Sequence, residues 1–297
     1  MERNFKYTNI DLGILTVKIP IIEIGNKNSD KKLAITCCVH GNETSSLFII
    51  NEVLNIINEN LLKGYIKVIL ISNPIANYFN KRCSPQDIQD MNRLAPGNNN
   101  GTVTERICRV VMNEIIHEWS LPSLLQGIVL ENSQNSTKEI SEKMIDVFKP
   151  DILTVLDSKY IHSIYGFINE KRQIPGFTIE LSSDTVNNKI EEERVVKSLV
   201  NLLIYLDIYD DTKYNYPMDN YLVIKEVHRY IAQKSGLFFP DKKVGDNTKK
   251  GDRIGYLLDL NLNDKIELYN VGDYTTVLEL LPKKYVNAGD LIGIIGK

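Results

Sequence analysis

The chain alternates between short apolar runs and longer stretches whose apolar residues return at helical spacing. Buried strands are predicted at Leu33–Val39, Tyr65–Ile71, Gly127–Leu130, Asp151–Leu156 and Phe177–Glu180. Helices are predicted between and after them, at about 44–60, 104–118, 141–148 and 191–205. This alternation predicts an α/β fold, with a mostly parallel (mixed) sheet flanked by helices on both faces.

The pattern changes around residues 207–218. From Tyr221 onward, short alternating strands are separated by Gly-Asp turns, and the turns in KKGDRIG and NAGDLIG resemble each other. No helical pattern of useful length follows. We therefore predict an α/β domain over residues 1–210 and a small C-terminal all-β module over 218–297.

Composition narrows the classes of function. The 297 residues are 43% hydrophobic and 25% charged, and the formal net charge is -3. Because there is no basic run, we expect no nucleic-acid partner. The N-terminus has no apolar signal-peptide core, and no apolar run approaches the roughly 20 residues that span a bilayer, so we expect no membrane association. The sequence leaves open whether the protein forms a homo-oligomer.

The four cysteines, Cys37, Cys38, Cys83 and Cys108, show no CxxC spacing. This pattern indicates reduced thiols, so we expect a cytoplasmic protein. Cys37 and Cys38 are interpreted as strand residues that point to opposite faces of the sheet, not as metal ligands.

The first candidate for chemistry is the HGNE segment, His40 to Glu43, between a predicted strand and a predicted helix. Open α/β sheets bind their ligands at the carboxyl ends of strands. An imidazole followed three residues later by a carboxylate can supply two ligands of a zinc site. The structural alternative is a surface histidine and a glutamate that caps the helix.

Two further groups follow predicted strands. Arg82, Asn92 and Arg93 lie in the loop after Asn73-Pro74 and suit a small carboxylate-bearing substrate, because guanidinium binds carboxylate bidentately. Asp90 is expected only to tie down that loop. Glu180 closes the strand in IPGFTIE, where a general base for a metal-activated water could lie. Its structural alternative is an ordinary solvated carboxylate.

The motifs HGNE, NPxAxxxxxR, DxNRxxPG and IPGFTIEL together resemble the succinylglutamate desuccinylase/aspartoacylase family of the zinc carboxypeptidase superfamily. The resemblance covers nearly the whole chain. It implies a zinc-carboxypeptidase-like domain followed by a small β module. It also implies a zinc-dependent hydrolase that cleaves an amide bond of a small N-acyl amino acid or peptide end through a metal-activated water.

The resemblance also assigns roles to individual residues. His40 and Glu43 would bind one Zn²⁺ per chain, although another divalent ion is an alternative. Arg82, Asn92 and Arg93 would hold the substrate carboxylate or polarise the scissile carbonyl. Glu180 would activate the water and then protonate the leaving amine.

The chain departs from the family at the third metal ligand, which the family takes from a DLH motif. The corresponding strand is interpreted as Gly127–Leu130, followed by Glu131 and Asn132, with no histidine. Glu131 would give a site better suited to an oxygen-preferring ion such as manganese, whereas Asn132 is a poor neutral donor. His162 is a less favoured substitute, and His117 and His228 are interpreted as structural or distant. The alternative function is therefore a catalytically impaired relative that binds a carboxylated ligand.

Overall fold

The computed structural model describes residues 3–115, 119–122, 126–130, 136–156, 163–181, 188–211 and 222–297. The chain forms two compact units, Met1–Leu222 and Val223–Lys297. Residues 212–221, within which the predicted all-β module begins, lie outside the described residues. Among the described helices, none is both long enough and apolar enough to cross a lipid bilayer.

The first unit begins with a five-stranded sheet. Its strands are β1 (Asn4–Asp11), β2 (Thr16–Gly25), β3 (Lys32–Thr36), β4 (Tyr65–Ile69) and β5 (Trp119–Pro122). Their spatial order is β1-β2-β4-β3-β5. Strand β3 pairs in parallel with both β4 and β5, whereas the β1–β2 and β2–β4 pairs are antiparallel. Because β3 lies between β4 and β5, its carboxyl end lies beside the ends of two parallel neighbours.

Three more strands of this unit pair with one another. These are β6 (Gln126–Leu130), β7 (Ile152–Leu156) and β8 (Thr178–Glu180). Strand β6 is parallel to β7 and antiparallel to β8. The α-helices are α1 (Ser45–Ile56), α2 (Pro74–Tyr78), α3 (Val103–Ile115), α4 (Ser136–Phe148), α5 (Ile164–Arg172) and α6 (Lys189–Tyr205), with 3₁₀ turns at Glu59–Leu61 and Met91–Arg93.

Two apolar clusters show how the helices cover this unit. In one, Leu33 and Ile35 of β3 are buried with residues of α1, α4 and α6. In the other, Ile19 and Ile21 of β2 and Ile69 of β4 are buried with residues of α3 and α5. Because neighbouring residues of a strand point to opposite faces, apolar residues of β2 and β4 contribute to both clusters, whereas those of β3 lie in the first. The predicted α/β class, with helices and a mixed arrangement of strands, is confirmed.

The structure contains elements that the sequence pattern missed. Strand β5 follows α3 and lies beside β3, whereas the prediction took Gly127–Leu130 as the first strand after that helix. Its four residues, Trp-Ser-Leu-Pro, are too few and too mixed to show a strand period. Helix α2 lies in the predicted loop after Asn73, and α5 contains Gly166, which weakens a helical signal.

In the second unit, all of the described regular elements are strands. They are β9 (Leu222–Ile224, at the unit boundary), β10 (Val227–Ile231), β11 (Gly236–Pro240), β12 (Arg253–Asp259), β13 (Lys265–Tyr269), β14 (Thr276–Leu280), β15 (Lys284–Val286) and β16 (Leu291–Gly296). Two antiparallel sheets, β10-β16-β14 and β13-β12-β11-β15, contribute to one apolar cluster around Phe238.

The two similar Gly-Asp turns of the second unit have the same local structure. Gly251 and Gly289 both have a left-handed backbone, with φ of +88° and +92°. The carboxylate after each glycine accepts a hydrogen bond from a backbone N–H three residues earlier, at 3.2 Å for Asp252 and 2.8 Å for Asp290. Each turn leads directly into a strand, β12 or β16. The similar sequences therefore form the same type of turn at the start of two different strands.

Candidate functional site

The site starts where β3 ends. Beyond Thr36 the chain stays bonded to the segment after β4: Cys37 N–H donates to Ile69 O, and Cys37 O accepts from Ser72 N–H, both at 2.9 Å. Cys38 then adopts a left-handed backbone, with φ of 51°. This conformation ends the strand alternation, so Cys37 and Cys38 are buried in the same apolar cluster. The prediction that they point to opposite faces is therefore wrong.

Neither of these thiols is suited to binding a metal. Burial raises the pKa of Cys37 to about 12 and that of Cys38 to about 11. At neutral pH both thiols are therefore protonated and form apolar parts of the core. Only the thiolate is a good metal ligand, so neither is expected to bind a metal. The Cys38 Sγ lies 3.4 Å from the backbone oxygen of Glu43, to which it donates a weak hydrogen bond.

Residues 40–43, here called the HGNE turn, pack closely against α2. The turn is closed by a hydrogen bond from Glu43 N–H to His40 O, at 3.1 Å. A Cβ atom on Gly41 would lie 2.0 Å from the backbone carbonyl carbon of Ala76. Only glycine allows this approach, which explains its place between the two candidate ligands.

His40 is buried and has a carboxylate at each ring nitrogen. Its Nδ1 lies 2.9 Å from both carboxylate oxygens of Glu43, and its Nε2 lies 2.9 Å from Oδ1 of Asp90. Burial alone would lower the pKa of His40, but the hydrogen bonds with Asp90 and Glu43 outweigh it and raise the pKa. The two predicted ligands therefore meet, and Asp90 orients the imidazole from the other side.

Arg82 joins the two carboxylates. Its guanidinium lies 3.1 Å from Oδ2 of Asp90 and 3.4 Å from Oε1 of Glu43, and its side chain is 50% exposed. Burial opposes ionisation of Asp90, but the hydrogen bond with His40 and the charges of His40 and Arg82 hold its pKa well below the usual range. Asp90 is thus an ionised part of the site, and the expectation that it only ties down a loop is wrong.

The loop that carries Arg82 and Asp90 is fastened at two points. Ser84 Oγ donates to the buried side-chain oxygen of Asn73, at 3.0 Å. Asp87 accepts hydrogen bonds of 2.8 Å from both the backbone N–H and the hydroxyl of Thr104, at the start of α3. These contacts fix the course of the loop past His40.

Asn92 and Arg93 lie next to this network but contact it differently. The Asn92 backbone N–H donates to Oδ1 of Asp90 at 2.9 Å. Its side-chain oxygen accepts from Ile164 N–H at 3.0 Å, at the first residue of α5. Arg93 is exposed, and its guanidinium donates a local hydrogen bond to Asn92 O at 3.3 Å. The amide oxygen of Asn92 is therefore engaged, whereas the Arg93 guanidinium faces solvent.

Glu180 lies at the carboxyl end of β8 and is exposed. In the antiparallel ladder of β8 with β6, Glu180 is opposite Gln126, the first residue of β6. Leu130, the last residue of β6, therefore lies at the other end of that ladder from Glu180. Glu131 and Asn132 follow Leu130 in sequence but lie outside the described residues, as do His117 and His162.

His228, the remaining histidine, lies in β10 of the second unit. Its ring contacts those of Tyr230 and Tyr274, with centroid separations of 4.8 and 5.7 Å. These contacts account for the residue as part of an aromatic cluster.

His40 and Glu43 provide donors that suit a divalent cation. Imidazole nitrogen and carboxylate oxygen are both common zinc ligands, and two donors on one tetrahedral ion at about 2.0–2.1 Å lie roughly 3.3–3.4 Å apart. The observed separation of 2.9 Å needs to widen by only a few tenths of an ångström. Asp90 on the far nitrogen completes the carboxylate–histidine arrangement that orients metal-binding imidazoles. Among the described residues, however, no group of three His, Cys, Asp or Glu side chains is arranged to hold a metal ion.

The segment that contains this site is similar to a known protein family. Residues 29–121 match the family model of the succinylglutamate desuccinylase/aspartoacylase catalytic domain. The resemblance to this family is confirmed. The match includes the HGNE turn, Arg82, Asn92 and Arg93, and it ends before Glu180. No curated protein sequence matches the chain.

Solved structures are similar over almost the entire chain. The product-bound ectoine utilization protein EutE (DoeB) from Ruegeria pomeroyi has a TM-score of 0.84 at 19% identity, covering 99% of this chain and 94% of that one. An aspartoacylase family protein from Mesorhizobium loti has a TM-score of 0.83 at 16% identity, with the same coverage. A succinylglutamate desuccinylase/aspartoacylase from Rhodobacter sphaeroides has 0.81 at 18%, covering 99% and 95%. At these identities the likeness is one of fold.

Proposed function

We propose that the protein is a metal-dependent hydrolase that cleaves the amide bond of a small N-acyl amino acid or peptide end. The observation that carries the proposal is the buried imidazole of His40, held between the carboxylates of Glu43 and Asp90. An arrangement of this kind supports a hydrolytic metal centre, because it follows a strand with parallel neighbours on both sides and lies within the segment that matches a deacylase family.

Each residue of the centre has a definite task in this proposal. Asp90 keeps the proton of His40 on Nε2, so that Nδ1 presents its lone pair beside the Glu43 carboxylate. A divalent ion held by these two side chains would polarise the substrate carbonyl and lower the pKa of a water molecule. Zinc suits a nitrogen-and-oxygen donor set, although an additional carboxylate ligand would favour a harder ion such as manganese.

The arginines are proposed to bind the negatively charged substrate. Arg82 is half exposed and already spans two carboxylates, so its guanidinium can exchange one of these partners for a substrate carboxylate. Arg93 offers an exposed guanidinium from the neighbouring turn. Asn92 supports this pair by tying the turn to Asp90 and to the start of α5.

Glu180 is proposed as the general base. In that role its carboxylate takes a proton from the attacking water and delivers it to the nitrogen of the leaving amine. The assignment rests on the IPGFTIEL motif, because the family match stops at residue 121. The third ligand is proposed to be Glu131 or Asn132, with His162 as the less favoured substitute.

A second candidate function is a carboxylate-binding protein without catalysis. It is favoured by the sequence after β6, which has no histidine where the family has its third ligand, and by the antiparallel β6–β8 pairing, which separates Glu180 from the end of β6. In this case Arg82 and Arg93 would bind an anionic ligand, and Glu180 would have no activated water to deprotonate.

Metal content separates the two candidates. The protein is purified without a histidine tag, loaded with zinc or manganese, and its bound metal is measured beside that of His40→Ala. We expect about one equivalent in the parent and a large loss in the variant. Less than about a tenth of an equivalent in the loaded parent would favour the binding protein.

Turnover tests the base. Glu180→Gln should abolish hydrolysis of a panel of N-acyl amino acids while leaving metal content unchanged, because only the proton acceptor is lost. Glu142→Gln, on the exposed side of α4, serves as the matched control. Retention of turnover in Glu180→Gln would remove Glu180 from the mechanism.

A further inference from the structure

Gly41 lies between the two candidate ligands of the HGNE turn. Glycine has more backbone freedom than any other residue, so Gly41 could let the peptide planes beside His40 rotate. The hydrogen bond from Glu43 N–H to His40 O closes the turn but does not involve the carbonyl of Gly41. A turn that must hold two ligands at one separation needs a partner for this carbonyl.

Asn77 provides that partner from helix α2. Its side-chain Nδ2 donates to Gly41 O at 2.9 Å. The Asn77 backbone N–H is itself bonded to Asn73 O at 3.0 Å, and the Asn73 side chain accepts from Ala76 N–H at 3.2 Å, which fixes the start of α2. The Asn77 side chain therefore extends from the fixed start of α2 to the glycine of the turn.

Building on the proposed function, we infer that Asn77 is a positioning residue for the metal centre. Its side-chain hydrogen bond goes to the Gly41 peptide and not to a proposed ligand, so it acts through that peptide. By fixing that carbonyl, it limits the rotation that would change the separation of His40 Nδ1 and the Glu43 carboxylate. The backbone contact between Gly41 and Ala76 prevents inward movement, and the Asn77 hydrogen bond opposes outward movement.

The test compares Asn77→Ala with Asn51→Ala. Asn51 is an exposed helical asparagine whose side chain donates to its neighbour Glu52, so both changes remove one amide from a helix. Zinc affinity is measured by competition with a chromophoric chelator. Hydrogen exchange of the amides of residues 40–44 is measured in metal-free protein. We expect Asn77→Ala to weaken zinc binding on the order of tenfold and to accelerate exchange in the turn, and Asn51→Ala to do neither.

Asn77→Asp is a second variant with nearly the same shape. It replaces the donor with an acceptor that repels Gly41 O, while its added negative charge would by itself favour a cation. A fall in zinc affinity in this variant therefore reports the lost positioning and not the charge.

The two readouts keep the outcomes distinguishable. Normal zinc affinity and normal exchange in both Asn77 variants would overturn the inference. Absence of zinc binding in the parent would contradict the proposed function. Hydrogen exchange in the metal-free protein would still show whether Asn77 holds the HGNE turn in place. A lower melting temperature with unchanged affinity and unchanged exchange would make Asn77 an ordinary structural residue.

Discussion

Replacing Asp90 with alanine removes the acceptor that lies 2.9 Å from Nε2 of His40. The imidazole is buried, so its N–H would lose a partner that water cannot easily replace. An unsatisfied buried donor costs about 1–3 kcal/mol, and loss of a partner behind a metal ligand typically weakens binding by about 10–100-fold. We therefore expect Asp90→Ala to weaken zinc binding by about 10–100-fold.

Asp90→Asn separates this effect from that of charge. The amide oxygen can still accept from His40 and from the Asn92 backbone, whereas the ion pair with the half-exposed Arg82 is lost. Because exposed ion pairs contribute little, we expect Asp90→Asn to bind zinc within about threefold of the parent.

Zinc affinity would be measured for both Asp90 variants by chelator competition, alongside melting temperature, with the exposed Asp30→Asn as control. Parent-like affinity in Asp90→Ala would refute the orienting role. Equal losses in the alanine and asparagine variants would show that the charge of Asp90, and not its hydrogen bond, is what matters.

Two further predictions concern the packing around the site and the stability of the first sheet. Gly41→Ala would place a Cβ 2.0 Å from the Ala76 backbone, so we expect loss of metal binding together with a lower melting temperature; a parent-like variant would show that α2 can move away. Burial alone would raise the pKa of Glu23, but hydrogen bonds from Lys6 and Lys27 lower it to about 2 from an ordinary 4.5. This carboxylate therefore stabilises the fold above the unfolded pKa, and the contribution is lost as pH falls through 4.5 toward 2. Between pH 6 and pH 3 the parent should lose about 2 kcal/mol of unfolding free energy through this residue, a loss that Glu23→Gln should not show in urea titrations.

The sequence was informative where local chemistry and periodicity coincide. The apolar run of β3, the HGNE segment and the helical spacing of α1 together predict that His40 and Glu43 lie at the carboxyl end of a sheet strand. Both residues belong to one turn, three positions apart, so their meeting depends only on local geometry. In the structure the two side chains lie 2.9 Å apart, and their role as metal ligands stays a prediction.

Asp90 shows why the other contacts of the site could not be predicted from the sequence. Its carboxylate meets His40 from 50 residues away, through a loop whose course depends on the Ser84–Asn73 and Asp87–Thr104 hydrogen bonds. None of these pairings has a local sequence signature. The DxNR motif did mark the segment, so the signal was present, but only the fold reveals which member of the motif touches the imidazole.

The third ligand stays a prediction, because Glu131, Asn132 and His162 lie outside the described residues. What the sequence pattern missed is the strand before β6. The four residues of β5 carry no clear strand period, so the pattern indicates Gly127–Leu130 as the first strand after α3. The structure places β5, and not β6, beside β3.

The close contact between Gly41 and α2 bears on attempts to transplant this centre. Copying only the four residues HGNE into another scaffold would omit the backbone of α2, against which Gly41 packs. The smallest portable unit is the pair of segments, roughly 36–45 with 69–78, together with Asp90, which holds the imidazole of His40 from its other side. A designer who keeps these parts could then vary the half-exposed Arg82 to change what the centre accepts.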